Sequence, residues 1–455
     1  PSSEWDRVLP LRNNHQACFN TIFLVEVKRL KDINSALFIK RINNIKKMKF
    51  INNYKYSLIL SSFFLLIFIL SINEFLNLSK IYPLYNLEMF PDWKYIYNYN
   101  SCLNVIQPEK VDRQICDELL KTPYVYPVVW HKIANATQLY SETILYFLII
   151  VYLAITVKFF KNLSSYYHLF FLFSPTSILL IQRGNNELLI FCLIYIFMFL
   201  VNSKKFKYFS IIPFALASLL KVHPLCLILI YLVNDIKKIS FYKLTAVALF
   251  LIIIFFSFNE FLYLKELPRK GMITLVYGAE SIFFIFNYVI KNIKLNLMHS
   301  SIGTLILLII LSLKFKIYNL EKIESNKQIT FLIGSTILVS SFFLNTTFEY
   351  RFIYIIFTLP FLFDMKKKIN KKIIYFILLI YLVLWFEFFI EHAKSIVLNK
   401  HTIIWYESKF MSIEKIYLSF LILFKNLFYW VINFGLIVIS KNIIFNRLNK
   451  IKFFS

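Results

Sequence analysis

"LLIQRGNNELLIF", residues 179–191, sets an arginine, a glycine, two asparagines and a glutamate between two apolar runs. Runs of that kind recur from about residue 56 to residue 440, and hydrophobic residues make up 58% of the chain. A helix needs about 20 apolar residues to cross roughly 30 Å of hydrocarbon, and these runs are of that order. The polar pentapeptide is therefore a turn between two membrane helices. The fold class that follows is all-α: a polytopic transmembrane bundle of about twelve spanning or partly spanning helices.

The formal net charge of +26 raises the question of nucleic acid. The lysines answer it, because they cluster in short connectors: "KKMK" (46–49), "KKFK" (204–207), "DIKK" (235–238) and "KKKINKK" (366–372). Each is flanked by apolar segments, as expected of charges that orient helices by staying on the cytoplasmic side. The expected partner of the surface is a lipid bilayer, and no nucleic acid.

Alternation of those connectors gives a topology. A first helix at about 56–76 leaves the cytoplasm, and residues 77–138 form an extracytoplasmic loop. Helices follow at about 139–157, 165–182 and 187–202, with the "RGNNE" turn outside. The next apolar segment, 208–233, contains "KVHP". Proline cannot donate to the helical ladder and disfavours helix at the residue before it, so two short helices are expected, broken near His223 and Pro224. Further segments are read at about 242–261, 278–294, 301–314, 329–346, 352–365, 373–393 and 413–440. Met48 reads as a start before the first helix. Residues 1–47 are accordingly expected to be a mis-assigned or disordered extension, and 48–455 the transmembrane domain.

Arg183, Lys221, His223 and Arg351 come from three separate turns, and the topology puts all of them outside. A charge at membrane depth costs about 2.5–3.5 kcal/mol on insertion scales, so such residues are paired or functional. Pairing of Arg183 with Glu187, and of Arg351 with Glu349, would make them simple ties at helix ends. Convergence on one face would instead suit a phosphate or pyrophosphate, which Arg grips with a planar fork and Lys as a point charge. In a membrane, the phosphate-bearing ligand would be a lipid carrier. The outer loop adds "NLEMFPDWKYIYNYN" (86–100), with Glu88 and Asp92 among aromatic rings. Rings beside a carboxylate suit a sugar, and an interfacial aromatic belt with solvated acids is the plainer alternative. Cys102 and Cys116 share this loop and can form a disulfide outside the cytoplasm. The sequence shows no His/Cys ligand cluster, and neither a metal nor a cofactor is expected.

Three segments, "FSPTSILLIQRGNNELLIF" (173–191), "ALASLLKVHPLCLILIYL" (215–232) and "NTTFEYRFIYIIFTLPFL" (345–362), follow an outer loop holding an acid and "PYVYPVVW" (123–130). In that order they resemble the GT-C glycosyltransferases, nearest to the glycosyltransferase 87 type, which includes polyprenyl-phosphate-mannose-dependent mannosyltransferases. Better-characterised members often carry Gly-Gln-x-Asn where this chain has "RGNNE". The resemblance implies an enzyme that transfers mannose, or another hexose or pentose, from a polyprenyl-phosphate donor to an extracytoplasmic glycan or glycolipid acceptor, with inversion. It implies that Asp92 is the catalytic base, with Glu88 as runner-up. Arg183, Lys221, His223 and Arg351 would hold the donor phosphate, and Asn185, Asn186, Glu187, Glu349 and Tyr350 would position the substrate. The implied location is a multi-pass place in a bacterial cytoplasmic membrane. A flippase or transporter of lipid-linked saccharides would also want a basic cavity, and so would an O-antigen polymerase or ligase.

Overall fold

The computed structural model describes residues 55–66, 90, 92–93, 102, 142–161, 163, 165–203, 205–233, 241–266, 276–280, 282–283, 296–344, 347–398 and 413–452. The readings for residues 1–47, for Glu88, for Cys116, for most of the loop 77–138 and for most of the segment 278–294 lie outside them. The described chain is helical apart from one two-residue antiparallel pairing, in which β1 (Val276–Tyr277) meets β2 (Thr347–Phe348). The helices, in order, are α1 (Lys55–Leu66), α2 (Glu142–Phe160), α3 (Ser165–Leu172), α4 (Pro175–Gln182), α5 (Glu187–Val201), α6 (Ile211–Leu220) and α7 (Ile228–Val233). They continue as α8 (Phe241–Glu266), α9 (Leu297–Ser312), α10 (Ser325–Leu344), α11 (Leu359–Lys368), α12 (Ile373–Leu398) and α13 (Ile413–Lys452).

Among the described residues, three helical stretches are long and apolar enough to cross a membrane: Thr143–Phe160, Ile373–Ile390 and Phe420–Asn449. The bent pair α4–α5 makes a fourth if it counts as one span, and shorter apolar helices accompany them. Phe147, Leu251, Phe255, Leu307, Leu378 and Phe420 stand exposed on the outside of these helices. In water such side chains would be buried against a partner; a helix apolar on all sides suits lipid.

Several boundaries differ from the sequence reading for local reasons. The segment 165–182 is two helices, because Ser174 caps α4 by accepting from the Ser177 N–H and Pro175 takes its first position. Pro is tolerated there because the N–H it lacks would be unpaired in any case. The segment 352–365 is likewise split, into a 3-10 helix, Glu349–Phe357, followed by α11. The last helix runs on to Lys452, and α12 continues to Leu398.

α10 is the central pillar, packed against the 349–357 turn, α13, the 3-10 turn His223–Leu227, α11 and α9. Gly334 permits one close approach. A Cβ built there would lie 2.8 Å from Phe357 Cβ and 3.1 Å from the Tyr354 carbonyl oxygen. The 349–357 turn is thereby seated hard against α10, and its buried face, from Tyr350 to Phe357, joins the core.

Candidate functional site

The "RGNNE" turn is built residue by residue. Arg183 ends α4, and Gly184 follows with φ +56°, the left-handed position that favours glycine. The Gly184 N–H donates to the Ile181 carbonyl and the Asn185 N–H to that of Leu180, the pair of bonds that defines a Schellman end. Asn185 Oδ1 then accepts from the Glu187 N–H and starts α5. The chain turns by 111° between α4 and α5 over these residues. One turn thus delivers Arg183, Asn185 and Glu187 together.

Asp92 is docked onto this turn. The Phe90 N–H donates to the Gln182 carbonyl and the Asp92 N–H to that of Arg183, at 2.8 and 3.1 Å. Phe90 itself holds φ +62°, and Phe90 and Trp93 are buried. The side chains complete the clip. Arg183 donates from Nε to Asp92 Oδ2 at 2.9 Å and from Nη2 to Oδ1 at 2.6 Å, a forked ion pair. Asn185 Nδ2 also donates to Asp92 Oδ2, and to the Tyr350 hydroxyl oxygen at 2.9 Å.

Glu187 forms the second half. Its side chain is fully buried in the first turn of α5, where the helix dipole favours an anion. Oε1 accepts from Lys221 Nζ and from Arg351 Nε, both at 2.7 Å, and Oε2 accepts from the Tyr354 hydroxyl at 2.6 Å. His223 Nε2 stands 3.7 Å from Oε2 and makes no hydrogen bond among the described residues. Lys221 arrives because α6 stops at Leu220 and the chain goes extended at φ −153°, ψ 153°, before the 3-10 turn containing Pro224. The expected helix break is therefore present, and it begins at Lys221. Arg351 and Tyr354 arrive together because side chains three apart eclipse in a 3-10 helix.

The tie of Arg183 to Glu187 raised from the sequence is not formed. Arg183 pairs with Asp92 rather than Glu187, and Glu187 is the partner of Arg351. The structure describes no side-chain position for Glu349. Asn186 is buried with neither amide atom hydrogen-bonded among the described residues. Cys102 is disulfide-bonded, to a partner outside the described residues, whereas Cys192 and Cys226 are free. Among the described residues no group of three metal-ligating side chains gathers. Tyr354 was not singled out from the sequence, although its spacing of three from Arg351 in "YRFIY" was the available signal.

The two halves are one network, since Asn185 touches Asp92, Tyr350 and the Glu187 N–H. Among the described residues, three cations, Arg183, Lys221 and Arg351, face the two carboxylates of Asp92 and Glu187. Arg351 commits only Nε; its two terminal nitrogens bond to none of the described residues. A guanidinium edge with N–H groups uncommitted among the described residues can donate to an oxyanion. Compared with family models, curated proteins and solved structures, the chain matches none.

Proposed function

We propose that this chain is a membrane glycosyltransferase that takes a sugar from a polyprenyl-phosphate donor outside the cytoplasmic membrane. The observation that carries the reading is the convergence of Arg183, Lys221 and Arg351 on the carboxylates of Asp92 and Glu187, with the outer edge of Arg351 uncommitted. The resemblance of the ordered segments to GT-C enzymes supports the same reading.

In this reading the donor phosphate sits on the Arg351 edge, with Lys221 and Arg183 beside it. An acceptor hydroxyl attacks the anomeric carbon from the opposite face as the bond to the phosphate oxygen breaks. The electron pair leaves with the lipid phosphate, stabilised by the cations, and the acceptor proton passes to Asp92. Configuration inverts in the single displacement. Glu187 touches no substrate; it aims Lys221 and Arg351 and neutralises part of their charge. The apolar helices hold the polyprenyl tail.

The test is transfer from radiolabelled polyprenyl-phosphate mannose, and from the corresponding hexose and pentose donors, in membranes containing the protein. Labelled product that is lost in Arg351→Gln supports the reading. Transfer from polyprenyl-diphosphate donors alone would move the protein to the polymerases or ligases.

A further inference from the structure

The general base of the proposed reaction is occupied. Asp92 accepts from Arg183 at both oxygens and from Asn185 at Oδ2, so three of about four acceptor positions are filled. A hydroxyl that approached this carboxylate would have to compete with a forked guanidinium. The same guanidinium is also one of the cations assigned to the donor.

We propose that Arg183 exchanges partners: an arriving lipid phosphate takes its guanidinium away from Asp92, so that the base is unmasked only when the donor is in place. This rests on the polyprenyl-phosphate reading of the site. A phosphate replaces the negative charge of the Asp92 carboxylate that Arg183 gives up, and its oxygens fit the same fork. Arg351, with its uncommitted edge, supplies the first grip. Asn185 joins Asp92, Tyr350 and the Glu187 N–H, so a phosphate held by Arg351 beside Glu187 lies against the same network as Arg183.

The surroundings are arranged so that Asp92 stays in place when its cation leaves. The backbone bonds Phe90 N–H to Gln182 and Asp92 N–H to Arg183 do not involve the Arg183 side chain. Asn185 keeps its hold on Oδ2 while being fixed by the Glu187 N–H and the Tyr350 hydroxyl. Released from Arg183, Oδ1 is open to an incoming hydroxyl, which is what a base needs at the moment of attack. Asn185 is thus a positioning residue, and Arg183 is a positioning residue for the base before it is a phosphate ligand.

The test reads the Asp92 carboxyl directly in the full-length protein in lipid nanodiscs, using dicyclohexylcarbodiimide and peptide mass spectrometry. The probes are dodecyl phosphate, dodecanol and inorganic phosphate, with binding scored separately by the shift in thermal unfolding. Dodecyl phosphate is expected to raise N-acylurea formation at Asp92 several-fold, and dodecanol to leave it unchanged. Arg183→Gln is expected to label strongly without phosphate and to gain nothing from it. Equal gains from inorganic phosphate and dodecyl phosphate would overturn the lipid headgroup as the trigger. Dodecyl phosphate that binds wild type without changing Asp92 labelling overturns the exchange and leaves the donor reading standing. Failure of dodecyl phosphate to bind at all overturns both. The wild-type comparison does not depend on whether the Arg183 variant folds.

Discussion

Arg351 crosses 164 residues of chain to place its Nε 2.7 Å from Oε1 of Glu187. Two cations and a tyrosine meet on that one carboxylate, and none of the four side chains is more than slightly exposed. Glu187→Gln keeps the shape and removes the charge that Lys221 and Arg351 share. Breaking a buried ion pair costs about 3–5 kcal/mol. The variant is expected to unfold at a markedly lower temperature in detergent, measured by tryptophan fluorescence, and Lys221→Met combined with it should recover part of the loss. Unchanged unfolding in Glu187→Gln would mean that water compensates the pair.

Arg351 makes an Nε bond to Glu187, and the proposed reaction asks it also to offer its terminal nitrogens to phosphate. Lysine can supply one charge but neither geometry. Arg351→Lys is therefore expected to raise the KM for the donor nearly as far as Arg351→Gln does. Full rescue by lysine in the transfer assay would show that only charge matters there.

Gly334→Ala tests the seat of the 349–357 turn. The added Cβ would come within 2.8 Å of Phe357 Cβ, and overpacking of that kind costs about 1–3 kcal/mol. Gly303 is the internal control, because a Cβ there meets nothing within 4 Å. Gly303→Ala is expected to be neutral or slightly stabilising, as alanine is the better helix former. The difference between the two midpoints in thermal unfolding is the measurement.

The turn at residues 182–187 and the break at Lys221 were legible because both are local. Glycine after an apolar run, asparagine before the next, and proline within a third each act over a few residues. The split at Ser174 was equally local and was passed over, since the apolar run through residues 165–182 masks a capping serine followed by proline. The choice of partners was not legible. Asp92 and Arg183 are 91 residues apart, and which carboxylate meets which cation depends on how whole helices pack. The 3-10 form of residues 349–357 was hidden for a related reason: an apolar run does not distinguish 3.0 from 3.6 residues per turn, and the seat at Gly334 accompanies it only in three dimensions.

The charge pattern predicts loop 77–138 outside and the "KKFK" connector inside. Single cysteines replacing Lys110 and Lys205 in an otherwise cysteine-free chain should react from opposite sides of intact cells. Labelling of both by an impermeant maleimide would put the two on one side and overturn the topology.

Asp92→Asn separates the two jobs of this carboxylate. As the proposed base it would take the acceptor proton, and general base catalysis is worth about 10²–10⁴ in rate, so kcat should fall by that order. As the resting partner of Arg183 it would also compete with the proposed donor, and asparagine, which carries no charge, would compete less. The KM for the polyprenyl-phosphate donor should therefore fall, or at least not rise, while kcat collapses. A residue that merely held the fold would lose both, and a phosphate ligand would raise KM. Glu88→Gln, in the same outer segment, should leave both constants near wild type. If Asp92→Asn transfers sugar at close to the wild-type rate, Asp92 leaves the mechanism and Glu88 takes its place as the base to test.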